Sequence, residues 1–158
     1  MPSKSVRQLI EALQTRYVRA LDSKDMDGWL ACFGDHGEYV CTTHENESQG
    51  LPVAIMMDDS PERMQDRVRF IEKVWVGTYE DYLTRHIVQL VGYEEGDRFV
   101  KAETSFMITY CDEGGASQML ATGLYHDEVE LLDDRALFRS KKAVIDSSVT
   151  PRYLVYPI

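Results

Sequence analysis

Four long runs of alternating apolar and polar residues, separated by three short turns, fill the chain from residue 83 onward. LTRHIVQLVGY (83–93) ends at EEGD (94–97), and RFVKAETSFMITYC (98–111) ends at DEGG (112–115). QMLATGLYHDEVELL (118–132) ends at Asp133-Asp134, and ALFRSKKAVIDS (136–147) follows. Period-2 alternation of this length marks β-strands, and connections this short join only antiparallel neighbours. The result is a meander, and one of its faces has to be buried. In 98–111 the even positions are Val100, Ala102, Thr104, Phe106, Ile108 and Tyr110, while the odd ones include Lys101, Glu103 and Ser105. The even face is core.

The cover for that face lies upstream. In SKSVRQLIEALQTRYVRALDS (3–23) the apolar positions Val6, Leu9, Ile10, Leu13, Tyr17, Ala20 and Leu21 share one side of a helix. Ser3 or Ser5 can cap it. KDMDGWLACFGD (24–35) reads as a short helical turn with Met26, Trp29, Leu30 and Phe33 on one side, ended by Gly34. GEYVCTT (37–43) is a strand and HENESQGLP (44–52) a loop. Ser60 as cap, Pro61 at the first helical position and Glu62 at the positive end of the dipole open a third helix. Its buried side carries Met64, Val68, Ile71 and Val74 or Trp75. Helices first and strands after make an α+β fold: a curved antiparallel sheet with the N-terminal helices on its concave face. One domain, 1–158, is expected. A chain of this size buries about 70% of the surface it exposes when unfolded.

Formal charge is −10, from 27 acidic and 17 basic residues. Phosphate backbones and anionic membranes need clustered Lys and Arg, so neither nucleic acid nor membrane is an expected partner. No apolar stretch approaches the roughly 20 residues that span a bilayer, and no signal-peptide core is evident. Three cysteines without a C-x-x-C pair suit a reducing compartment, so a cytoplasmic location is expected.

Metal ligation is the first chemistry to weigh. Cys41-x-x-His44 resembles half of a Rieske iron–sulfur pattern, but neither Cys32 nor Cys111 supplies the other half. In an extended strand, residues three apart also point to opposite faces. His36 and His44 fall at opposite ends of the first strand, and no H-E-x-x-H, glycine-rich phosphate loop or G-x-S-x-G elbow is present. No cofactor is implied in this chain.

Acid–base chemistry remains. His86 shares the more apolar face of its strand with Val88 and Leu90, opposite Arg85 and Gln89. With Tyr39 or Tyr110 it could work in a cavity as a proton acceptor. A histidine with no carboxylate partner evident in the sequence is more often a hydrogen-bonded interior residue, in the core or at an interface. In the last hairpin, a turn centred on Asp133-Asp134 places Glu128 opposite Arg139 and His126 opposite Lys141, which reads as a solvated charge ladder.

The order and spacing of DSKDMDGWLACF (22–33), EYV (38–40), MQDRVRFIEKVW (64–75), YEDYLTRHIVQL (79–90) and AVIDSSVTPRYLVYPI (143–158) resemble the small (beta) subunit of aromatic-ring-hydroxylating dioxygenases. GLPVAIMMDDS (50–60) and the DSSVTPRYLVYPI ending look most like the subgroup of salicylate 5-hydroxylase, terephthalate dioxygenase and anthranilate dioxygenase. The resemblance spans essentially the whole chain. It implies a nuclear-transport-factor-2-like (cystatin-like) cone and a structural subunit of a Rieske non-heme iron oxygenase acting on an aryl carboxylate. It also implies a large (alpha) subunit holding the Rieske 2Fe-2S cluster, the mononuclear iron and the substrate pocket. The two subunits would form a three-plus-three hexamer with self-association of this chain, and reductase and ferredoxin would act through the large subunit. No residue here would then be catalytic. Tyr153, Leu154, Tyr156 and Ile158, an apolar and aromatic-ended tail, are the candidate interface, unless the tail packs on its own sheet. The alternative is a stand-alone isomerase or dehydratase of the same fold, using His86 with Tyr39 or Tyr110.

Overall fold

The computed structural model describes residues 4–158. Helix α1 (Val6–Asp22) begins at a capping box: the Ser5 hydroxyl accepts from the Gln8 amide, and the Gln8 side chain accepts from the Ser5 amide. Ser3, the other candidate cap, lies outside the described residues. Leu9, Ile10, Leu13, Tyr17 and Leu21 of α1 are buried. Each fully buried Leu or Ile contributes about 1.5–3 kcal/mol. Helix α2 (Met26–Leu30) follows at once, capped by the Asp25 carboxylate. It is shorter than the sequence suggests, because Phe33 and Gly34 already belong to strand β1 (Phe33–Thr43).

Residues 44–48 are helical instead of looped. The Thr43 hydroxyl caps a single turn, α3 (His44–Ser48), by accepting from the Asn46 amide. A short strand, β2 (Met56–Asp58), then pairs with β1. Helix α4 (Pro61–Phe70) starts at the Ser60 cap with Pro61 in its first turn, as its sequence requires. It ends in a π-helical turn (Ile71–Trp75) whose wider winding rotates the apolar side outward. Ile71 is therefore the last buried residue there, and Val74 and Trp75 are exposed.

Strands β3 (Tyr82–Glu95), β4 (Val100–Asp112), β5 (Ser117–Leu131) and β6 (Ala136–Ile145) form the expected antiparallel meander. All six strands make one sheet in the order β2-β1-β6-β5-β4-β3. One pairing departs from the antiparallel expectation: β1 runs parallel to β6, with Tyr39 beside Lys141 and Cys41 beside Ala143. Register shifts at Leu90/Gly92, Ile108/Thr109 and Glu128/Val129 are bulges, which bend strands and increase their twist. They curve the sheet around α1. Gly123 serves the same closure: a Cβ there would lie 2.8 Å from the Phe106 ring and 2.0 Å from the Val144 carbonyl oxygen.

The even face of β4 is inside, as the alternation requires. An aromatic cluster fills the cone. Tyr17 meets Phe138 edge-on at 5.5 Å, Trp29 meets Tyr39 at 5.6 Å, and Phe106 stacks on Tyr125 at 4.3 Å. Such pairs add about 0.5–1.5 kcal/mol beyond area burial.

Candidate functional site

His86 sits on the inner face of β3, opposite Ile108 of β4, and its side chain is 2% exposed. The sequence suggested no acidic partner, but the fold supplies one. Asp22, the last residue of α1, brings Oδ1 to 2.6 Å from His86 Nδ1 and accepts the His86 main-chain amide at 3.1 Å on Oδ2. The Thr84 hydroxyl donates to the same carboxylate at 2.9 Å. Burial pushes the Asp22 carboxyl up, but the His86 hydrogen bonds and charge, with Thr84, outweigh it and leave the group below its usual value. The pair staples the end of α1 to the sheet edge.

The other ring nitrogen has no partner. His86 Nε2 is buried and unbonded, and it faces a void of about 10 Å³ lined by Leu21, Tyr82, Leu120, Tyr156 and Ile158. A void of that size holds about one water. What fills the rest of the cone mouth is the C-terminal segment. The Tyr17 hydroxyl donates to the Ile158 main-chain oxygen at 2.7 Å, and the Ile158 amide donates to the Tyr39 hydroxyl at 2.9 Å. Burial pushes both phenols well above their ordinary values, so both remain protonated. Tyr79 and Tyr156 share a hydroxyl–hydroxyl bond of 2.6 Å, and Arg152 lies over the Tyr82 ring at 3.9 Å.

The three residues of the alternative site are thus not brought to one point. Tyr39 stands on β1 and is tied to Ile158; Tyr110 packs edge-on against Tyr82 at 6.3 Å; only His86 lines the void. Of the tail candidates, Tyr153 is 85% exposed, Leu154 and Tyr156 are half-buried, and Ile158 is buried in this chain's own core. Cys41 and His44 do not converge either. Cys41 is buried within β1, its thiol pushed by burial to about 12, while His44 opens α3 on the surface. Among the described residues no group of three or more His, Cys, Asp or Glu could hold a metal ion. No described helix is long and apolar enough to cross a membrane.

The last hairpin corrects the expected register. Arg139 is bulged out, so Val129 pairs with Phe138 but Glu128 pairs with Ser140. His126 now faces Lys142 and keeps its solvated position near Glu103. Lys141, expected on that wet face, turns inside instead and faces Asp127. Its Nζ lies 3.1 Å from Asp127 Oδ2 and 3.1 Å from Gln14 Oε1, with the Tyr125 ring centroid at 3.7 Å. Burial pushes the ammonium down to about 8 against the pull of Asp127, and pushes the Asp127 carboxyl up against the pull of Lys141.

A curved sheet wrapped on its helices, with a filled mouth, defines a nuclear-transport-factor-2-like α+β cone. The chain belongs to the ring-hydroxylating beta subunit family, whose model matches residues 16–152. It is 29% identical over 150 residues to subunit beta 2 of the terminal oxygenase component of terephthalate 1,2-dioxygenase from Comamonas sp., covering 94% of this chain and 96% of that one. It is 26% identical over 152 residues to the anthranilate 1,2-dioxygenase small subunit of Burkholderia cepacia, covering 94% and 92%. A crystal structure of a beta subunit assigned to the aromatic-ring-hydroxylating dioxygenases, from Novosphingobium aromaticivorans, superposes with a TM-score of 0.77 at 26% identity, covering 89% and 88%.

Proposed function

We propose that this chain is the non-catalytic small subunit of a Rieske non-heme iron oxygenase that hydroxylates an aryl carboxylate in the cytoplasm. The partner large subunit holds the 2Fe-2S cluster, the iron and the substrate pocket, and receives electrons from reductase and ferredoxin. The observation that carries the reading is the filled cone: the one histidine on the inner face meets a void of about 10 Å³, too small for a ring substrate. The aryl carboxylate rests on the substrates named for the terephthalate and anthranilate relatives.

A subunit needs a surface to give away. On the outward face of the edge strand β3, Leu83, Ile87 and Val91 are exposed and alternate with Arg85 and Gln89, and Met119 of β5 is exposed as well. A long apolar edge strand is an association hazard unless a partner covers it. Tyr153 extends that offer from the tail, and a three-plus-three hexamer with contacts between copies of this chain is the assembly we assign. The His86–Asp22 pair favours a second reading, a cavity enzyme, but that reading needs the tail to leave the cone. Capture of the tagged chain from its native host tests the choice. A co-purifying oxygenase subunit with a Rieske absorption spectrum supports the first reading. Turnover of a ring substrate by this chain alone contradicts it.

A further inference from the structure

One apolar surface is not accounted for by the fold. Residues 51–57 (LPVAIMM) contain no charged side chain, in a chain that is 28% charged. They run beside β1, where the Ile55 amide donates to the Cys41 main-chain oxygen and the Thr42 hydroxyl to that of Val53. Leu51, Val53, Ile55 and Met57, at alternate positions, are all exposed. Met57 shares a groove of about 440 Å³ with Phe70 and Trp75, both exposed, whose ring centroids lie 6.0 Å apart. The π turn brings Trp75 to this surface, and such turns recur where helices carry function.

A half-exposed side chain of this size offers on the order of 100 Å², so these six reach the top of the roughly 300–600 Å² range for the largest apolar patch of a monomer. A standard interface takes about 800 Å² from each partner, as an apolar core with a polar rim. The rim is in place: Arg63 pairs with Asp59, Arg67 with Asp58 and Arg69 with Asp66. Residues 51–76 carry five acidic and four basic side chains, a nearly neutral surface on a chain of net charge −10. A second copy can approach here without the repulsion it meets elsewhere.

Shape sets the geometry of that contact. A groove cannot fill its own copy's groove across a two-fold axis, so unlike surfaces have to meet. The outward face of β3 lies at the opposite edge of the sheet from β2. Because the sheet closes around α1, this outer face is convex. It presents Leu83, Ile87 and Val91, with Arg85 as the one charge among them.

We propose that the groove between residues 51–57 and α4 receives the convex outward face of β3 from a second copy of this chain, a head-to-tail contact that closes into a ring of three. Arg85 of the entering strand meets the one excess acidic charge of the groove region. The proposal rests on the contacts between copies assigned above, and not on the oxygenase chemistry.

Sedimentation of the full chain between about 1 and 100 μM, beside the variants Phe70→Glu and Ile87→Lys, is the test. The parent should associate reversibly toward three copies with Kd on the order of 10 μM. Each variant alters an exposed side chain, so it should keep the parent melting temperature and associate at least tenfold more weakly. Mixed in equal amounts, the two variants should regain a two-chain species and no ring, because one keeps an intact groove and the other an intact β3 face. Val53→Lys and Leu83→Lys replace them if either variant melts early. A parent that stays monomeric at 100 μM, association that survives either substitution, or a mixture that stays monomeric overturns the proposal. So does Phe70→Glu costing only the bond to the large subunit, which would assign the groove to that partner. Capture from the native host decides the oxygenase reading separately.

Discussion

Asp127 and Lys141 face each other across β5 and β6 with no side-chain exposure, the ammonium 3.1 Å from the carboxylate. Gln14 of α1 completes the group by donating to Asp127 at 2.6 Å and accepting from Lys141 at 3.1 Å. Its amide also donates to Thr104 of β4 at 3.1 Å. A buried ion pair is rarely a net source of stability, because desolvation consumes most of the Coulombic gain. Its consequence is specificity: only one seating of α1 satisfies all four polar side chains.

Lys141→Met should cost about 3–5 kcal/mol, since it strands the Asp127 carboxylate in the core. Combining it with Asp127→Leu should recover most of that loss, short of the Gln14 oxygen that lacks a donor. Chemical denaturation of the single and double variants measures both. With Asp127→Leu measured alone as well, a double-variant loss equal to the sum of the two single losses would show that the residues are not energetically coupled.

That pair also marks where sequence reading stops. The meander, the inner face of β4 and the Ser60-Pro61 helix start each follow from periodicity or local chemistry, and they appear where the residues put them. Lys141 does not, because the bulge at Arg139 shifts the register by one and reverses every residue beyond it. No local pattern announces a bulge in a strand this rich in charge. The β1–β6 pairing and the Asp22–His86 contact join segments far apart in sequence, so only closure of the fold reveals them. The π turn likewise hides inside an ordinary helical period, and moves Val74 and Trp75 to the surface.

Asp22 predicts a pH dependence. Its carboxyl is lowered in the folded chain, so its stabilising contribution is fully present above the unfolded value of about 4 and is lost as pH falls through the lower folded value. Asp22→Asn should therefore be less stable than the parent near neutral pH, and the gap should narrow below about pH 4. Denaturant melts across pH give the curve. A gap that persists unchanged into acid would remove the carboxylate from the account.

The tail and the outer stripe separate folding from assembly. Ile158→Ala should destabilise the isolated chain by about 2–5 kcal/mol, as a buried large-to-small change does. Tyr153→Ala and Ile87→Lys should leave its melting temperature nearly unchanged, because both side chains are exposed. They should instead weaken assembly with the large subunit. Size-exclusion chromatography beside thermal melts decides, and intact assembly in both surface variants would move the interface elsewhere.

Metal content is a plainer check. Cys41 holds its proton at neutral pH, with its thiol pushed to about 12, and is a poor ligand. The purified chain, washed with chelator, should be colourless and contain no stoichiometric iron or zinc by elemental analysis. One tightly held metal per chain would contradict the geometry around Cys41 and His44.

The central claim is that His86 holds structure and does no oxygenase chemistry. The direct measurement is turnover per intact active site in purified complex carrying His86→Ala, with subunit composition confirmed first. Loss of the Nδ1–Asp22 hydrogen bond should cost about 1–3 kcal/mol in stability and lower the yield of complex. Complexes that do assemble should turn over at near the parent rate. A drop on the order of a hundredfold or more in fully assembled complexes, the signature of a lost acid–base group, would contradict the account.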